Sequence, residues 1–385
     1  MLRRVVTALA AVTLLTSLPV ALTSAHAAHP ARRGDVLTAV DLTGNKDARI
    51  AGAAKVIEIT YLSENATGGL VPVRGSVTIP QQAPGAAGYR ILAFDHSTVG
   101  LGDTCGQSDT LGAGGKHDSW LGPWLSDGYV IASTDYAGIG GPGIHAYLYG
   151  PTEGKNVLDM VRATRSVVAR YSSRKASNAF IPFGGSQGGH ATLWAAHLAS
   201  TYAPELKLAG TIAHSVPSGL AEYFSLIRPG FPPAVSPDHT TYFTYVLAGL
   251  RQVHPEVDVD SYLTPQGRAL VDAAQTRCYA DQKVATRHVG IGSLVSRPLA
   301  QGPLIAALRS YARVPDAGYP SPVLLQQGDI DVVALKPLTD QLAARMRANG
   351  VDVDYRTYFE GHGLSVKRVH EARAWANALN TWPRN

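Results

Sequence analysis

The sequence predicts an α/β fold, a mostly parallel sheet with helices on both faces. Three observations carry this. Strand-like runs alternate with helical ones. A glycine-rich turn joins one strand directly to a helix. A strand-poor stretch of roughly a hundred residues interrupts the alternation late in the chain. Alternation of this order builds parallel strands, because each crossover returns through a helix that covers the sheet.

Seven runs read as strands: 77–79, closed by Pro80; 89–94, entered from the turn at 84–88; 129–132; 178–183; 209–215; 323–327; and 353–359. Residues 154–170 place Val157, Leu158, Val161, Ala163 and Val167 near a 3.6-residue repeat, the signature of an amphipathic helix. Residues 189–200 are Ala-rich and follow the fourth strand. Residues 335–349 are amphipathic and end at Gly350, a good C-cap, and 366–379 close the chain. Between about 219 and 319 strand signals thin out and prolines accumulate, with helical stretches at 265–280 and 301–313. An insertion of this size reads as a cap, residues 219–320, over the carboxyl edge of the sheet. Open α/β folds bind ligands at that edge.

The first residues read as an address. Arg3 and Arg4 precede a stretch of Ala, Val, Leu and Thr, and Ala25-His26-Ala27 offers a small-residue cleavage site. This is the pattern of a secretory signal peptide, residues 1–27, leaving a mature chain of 28–385 with no transmembrane anchor. The formal charge of +5 loses Arg3 and Arg4 with the signal and becomes +3. Basic residues never run longer than two, so no nucleic-acid groove is expected. The chain is 45% hydrophobic and 16% charged, which excludes disorder and suits a large buried core. Two cysteines, Cys105 and Cys278, are too few for a Cys-rich metal site. Export leaves them free to oxidise, as a bridge or as separate thiols.

Gly184-Gly185-Ser186-Gln187-Gly188 matches G-x-S-x-G between a strand and a helix. That setting is a nucleophile elbow, in which a strained turn projects the serine. A hydroxyl needs a base to take its proton and an acid to orient the base. In this arrangement both follow the serine, acid first. The strand at 323–327 runs into Gly328, Asp329 and Asp331; the last strand runs into Gly361-His362-Gly363. His362 is the expected base. Asp331 is preferred over Asp329, because Gly328 makes the turn and Asp331 lies past it. The oxyanion donors expected are the N–H of Gln187 and that of Ser97 or Thr98, in the loop after the second strand. Gly138-Ile139-Gly140-Gly141-Pro142-Gly143 matches G-x-G-x-x-G, but no helix opening follows, so it reads as a turn. His117, His145 and His190 lack metal-ligand spacing; no metal and no cofactor are expected.

Together, Gly185-Ser186-Gln187-Gly188-Gly189-His190, Asp135-Tyr136-Ala137-Gly138, Leu158-Asp159-Met160-Val161-Arg162-Ala163 and Gln327-Gly328-Asp329-Ile330-Asp331 resemble the secretory lipase family of α/β-hydrolases. The resemblance extends to Tyr262-Leu263-Thr264-Pro265-Gln266-Gly267 in the insertion. It implies an α/β-hydrolase fold with a mainly helical cap and a lipase or carboxylesterase activity. It implies Ser186, Asp331 and His362 as the triad, and a Cys105–Cys278 disulfide between core and cap. The expected partner is a lipid or small-molecule ester, with a lipid–water interface as one setting. An acyltransferase or a proline-type peptidase is the alternative on the same fold. Gly184 departs from the family's pattern, where a bulky or polar residue is commoner beside the elbow. The apolar runs 223–227 and 231–235 are expected to line the acyl site or to form the cap's own core.

Overall fold

The computed structural model describes residues 30–232, 236, 238–363 and 365–382. The signal-peptide segment 1–27 therefore lies outside the described residues. The chain runs through β1 (Val36–Asp41), β2 (Ala53–Glu64), β3 (Leu70–Pro80) and β4 (Tyr89–Asp95) into helix α1 (Asp118–Ser126). Next come β5 (Tyr129–Thr134), α2 (Gly150–Tyr171), β6 (Ala176–Gly185), α3 (Gln187–Tyr202), β7 (Lys207–Leu208) and β8 (Thr211–His214). A helical stretch follows: α4 (Leu220–Ser225), α5 (Asp238–Val253), α6 (Pro265–Ala274), α7 (Tyr279–Thr286), α8 (Ile291–Leu294) and α9 (Leu304–Tyr311). β9 (Val323–Gly328), α10 (Lys336–Ala348), β10 (Val353–Tyr358) and α11 (Val366–Asn377) complete it.

One sheet has the order β1-β2-β3-β5-β4-β6-β8-β9-β10, with β7 paired to β6. It is parallel from β5 onward along this order and antiparallel among β1, β2, β3 and β5. The antiparallel edge was not anticipated beyond 77–79. Its signal was nevertheless present: Ile57, Ile59 and Tyr61 alternate with Glu58 and Thr60, the period of a strand buried on one face.

The pleat sorts side chains into two cores. On β4, Ile91 and Ala93 join Val157, Val161 and Ala195 under α2 and α3. Leu92 and Phe94 point the other way, to Trp124 of α1 and Ala372 of α11. Each face is thus covered by helices, as parallel strands require. Among the described residues no helix is long and apolar enough to cross a membrane.

The stretch between β8 and β9 has its own core, in which Phe224, Phe243, Leu247 and Leu294 pack with Tyr147 and Leu148 from the loop before α2. One expected helix is broken there. The run 265–280 splits into α6 and α7, because residues near Cys278 are drawn out against the loop after β4. Cys105 and Cys278 form a disulfide with Cα atoms 5.3 Å apart. Gly100 pairs with Cys278 as an antiparallel bridge, and Tyr279 N–H donates to Val99 O at 2.7 Å. Those long-range ties override a continuous helical pattern. The helix expected at 301–313 is shorter, α9, and starts after Pro303.

Candidate active site

Strands β6, β8, β9 and β10 are consecutive neighbours, so the loops at their carboxyl ends converge. β6 ends at Gly185, and α3 starts at Gln187. Ser186 between them has φ 56° and ψ −122°. A non-glycine residue held there costs on the order of 1–3 kcal/mol and persists only where its surroundings enforce it. They do: Ser186 N–H donates to His214 O at 3.0 Å, and His190 N–H donates to Ser186 O at 3.0 Å. A Cβ on Gly188 would lie 1.9 Å from Asp95 O, and one on Gly184 2.6 Å from the same atom. Gly184, the departure from the family pattern, is therefore demanded by packing against β4.

His362 follows β10. Its Nε2 lies 3.0 Å from Ser186 Oγ, and its Nδ1 lies 2.9 Å from Asp331 Oδ2. A carboxylate on Nδ1 places the ring proton there, leaving Nε2 free to accept from the serine hydroxyl. Ser215, at the strained φ of 49°, donates its hydroxyl to His362 O at 2.9 Å and steadies that loop. The Asp331 side chain is fully buried. Its Oδ1 accepts the N–H groups of Val333 at 2.8 Å and Ala334 at 2.9 Å. Burial pushes the Asp331 carboxyl up, but hydrogen bonds from His362 and these amides outweigh it and hold the group below its ordinary value. Asp329, two residues earlier, is exposed. Of the two acids weighed from sequence, only Asp331 bonds to His362.

Gln187 is the first residue of α3, so its N–H has no partner within the helix. Ser97 donates its hydroxyl to Gly185 O at 2.9 Å, and Thr98 Oγ1 lies 2.7 Å from Tyr147 OH. Ser97 thus sits against the elbow, and Thr98, the next residue, against Tyr147. The G-x-G-x-x-G run is a turn, with positive φ at Gly138, Gly140 and Gly143. His190 and His145, weighed from sequence as metal ligands, instead surround Glu153 of α2.

Ser186 opens into a narrow cavity of ≈ 50 Å³. Leu148, Leu220, Tyr223, Phe224, Phe243 and Leu338 are among its walls. The run 223–227 divides between the cavity and the helical stretch's core. Tyr223 and Phe224 line the cavity, Phe224 also packs into the helical stretch's own core, and Ile227 lies in that core alone. Of the run 231–235, residues 233–235 lie outside the described residues. Ser215 and Glu153 were not singled out from sequence, and no local signal marks them: Ser215 acts on a residue 147 positions away.

The Secretory lipase family profile matches residues 113–291. The resemblance is to the secretory lipases. The matched segment contains Ser186, Gln187 and Cys278 and ends before Asp331 and His362. Among curated relatives, a secreted triacylglycerol lipase of Malassezia globosa is 30% identical over 204 residues, 50% of this chain and 41% of its own. Lipase A of Moesziomyces aphidis is 26% identical over 180 residues, 46% of this chain and 36% of its own. The chain thus spans well under half the length of these two relatives. Candida antarctica lipase A in its closed state superposes with a TM-score of 0.72 at 19% identity, over 92% of this chain and 84% of that one. The rice cell wall degrading esterase of Xanthomonas oryzae gives 0.73 at 19%, over 89% and 96%. These likenesses show the α/β-hydrolase fold.

Proposed function

We propose that this chain is an exported carboxylic ester hydrolase that works through a Ser186–His362–Asp331 triad on esters with an apolar acyl group. One observation carries the reading: a strained serine is hydrogen-bonded to a histidine that is bonded to a buried carboxylate, and the serine opens into an apolar cavity. Ser186 Oγ attacks the ester carbonyl as His362 Nε2 takes its proton. The carbonyl oxygen, now an anion, is held by the N–H of Gln187 and that of Ser97 or Thr98. Collapse breaks the bond to the alcohol, which leaves with the proton from His362, and an acyl-enzyme remains. Water then repeats the sequence, releasing the acid and restoring Ser186. Asp331 holds the imidazole and stabilises its charged form.

The names of the secreted triacylglycerol lipases support lipid esters as the substrate class. They also support export; in this reading the signal is removed near Ala27. Residues 219–320 act in this reading as a cap: helices α4 and α5 wall the acyl side, and the Cys105–Cys278 disulfide ties the cap to the loop after β4. The test is Ser186→Ala with p-nitrophenyl butyrate and tributyrin. Turnover is expected to fall on the order of 10⁴- to 10⁶-fold, and activity near that of the parent chain overturns the assignment.

A further inference from the structure

Behind the elbow, a second set of polar side chains is enclosed in protein. Glu153 in the first turn of α2 and His190 in α3 are fully buried, and His145 is nearly so. The Gln187 side chain lies among them. Its Nε2 is 2.8 Å from Glu153 Oε1 and 2.7 Å from His145 Nε2. The opposite amide orientation would set the Gln187 oxygen against a carboxylate oxygen, so the nitrogen must face Glu153. His145 Nδ1 donates to Ala137 O at 3.1 Å, which leaves its Nε2 to accept the second amide hydrogen. Both hydrogens of the Gln187 amide are therefore assigned, and the side chain has one orientation.

The carboxylate reaches further. Glu153 Oε1 also accepts the N–H of Leu148 at 3.1 Å, at a residue held with φ of 63°. Glu153 Oε2 faces His190 Nδ1 at 3.2 Å, and His190 Nε2 faces Arg313 O at 3.1 Å. Both nitrogens of that ring point at oxygen acceptors, so the ring donates from both and balances the carboxylate. Beside Leu148, Tyr147 meets Thr98 through its hydroxyl at 2.7 Å, and its carbonyl accepts from Tyr311 OH at 2.7 Å. One carboxylate thus grips the residue after the nucleophile and, through Tyr147–Leu148, the loop that carries the other candidate donor.

We propose that Glu153 is a positioning residue that keeps the two halves of the oxyanion site in register, through the Gln187 side chain on one side and Tyr147–Leu148 on the other. The proposal rests on the reading of Ser186 as nucleophile and Gln187 as donor. Glu153 touches no substrate. Its effect belongs to the transition state, because the N–H groups it aligns act on charge that develops there.

The experiment compares Glu153→Gln, Gln187→Met and the double variant. Active sites are counted with a fluorophosphonate probe, turnover is measured with p-nitrophenyl butyrate, and inhibition with a trifluoromethyl ketone that forms a tetrahedral adduct. In E153Q, kcat per titrated site is expected to fall about 10- to 100-fold, the scale of a small misplacement at a reacting centre, with KM within about twofold. Ketone inhibition should weaken by the same factor. The double variant should be no worse than the poorer single one, since both changes break one linkage. A kcat per site and a ketone affinity equal to those of the parent chain overturn the proposal, as do two losses that multiply. Should E153Q fail to fold, unchanged kcat and ketone inhibition in Q187M overturn it alone. Failure of the underlying reading looks different: the parent chain would not label at Ser186, or S186A would keep its turnover.

Discussion

Two carboxylate–histidine pairs flank the same turn, and they differ in what the histidine can still do. His362 meets Asp331 through Nδ1 and keeps Nε2 for Ser186, with part of its ring open to solvent. His190 meets Glu153 through Nδ1 and spends Nε2 on the Arg313 carbonyl, with no exposure. The first pair has one nitrogen available for proton transfer. The second has none, so it can only hold structure in place. In the proposed reading, chemistry depends less on having an acid and a histidine than on leaving one ring nitrogen unspent beside the serine.

The largest test of this contrast is Asp331→Asn against Asp329→Asn. The first should lower kcat about 10⁴-fold, by placing the imidazole proton on the wrong nitrogen. The second should leave kcat within about twofold, because Asp329 is exposed and bonds to no histidine among the described residues. Equal losses would break the distinction between the two acids. An intermediate effect is expected from Cys105→Ser with Cys278→Ser. Losing a bridge that closes 173 residues should cost about 2–5 kcal/mol, read as a lower thermal midpoint. The remaining kcat should exceed that of D331N by a wide margin, since the bridge fastens Val99–Leu101 and not the triad.

Acid unfolding sharpens the contrast further. Burial pushes the Glu153 carboxyl up, but the hydrogen bonds it accepts, that from His190 among them, outweigh this and hold it below its ordinary value. Its contribution is present above about pH 4.5 and is lost as pH falls below that value. His117 and His214 are a third kind, buried with no carboxylate hydrogen-bonded to the ring among the described residues. Burial, aided by Lys116 and by His362 respectively, lowers each to about 4. An unfolded histidine takes its proton near pH 6.5, so their contribution is full above that value and is lost as pH falls to about 4. Neither ring nitrogen of His117 has a partner among the described residues, so His117→Phe is tolerable there. It should flatten the fall in stability between pH 6.5 and 4 by on the order of 3 kcal/mol, measured by denaturant unfolding across that range. An unchanged slope would show that His117 is not held neutral.

The elbow was legible because every part of its signal is local. A strand, two glycines, Ser186 and a helix start lie within a dozen positions, although the close approach that demands Gly184 and Gly188 is made by Asp95 of β4. His362 was legible for a similar reason, as a histidine between glycines after the last strand. Asp331 against Asp329 was only half legible: two acids two residues apart both follow Gly328, and burial decides between them. Glu153 was hidden because its partners lie at 145, 187 and 190, and nothing at 153 distinguishes it from a common first-turn glutamate. The break between α6 and α7 was hidden likewise, since the helical pattern runs through it and only the contacts with 99–105 draw the chain out.

Local pattern thus carried the α/β class, the position of the strained serine and the order in which Asp331 and His362 follow it. Those properties depend on periodicity, turn chemistry and chain direction, all carried by neighbouring residues. Tertiary packing alone decided which acid meets His362, which strands extend the sheet at its antiparallel edge, and where α6 stops. It also decided that Gln187 is gripped from behind by a carboxylate. Burial and hydrogen-bond partnership are relations between distant residues, and their free energies exist only once the chain has brought those residues together.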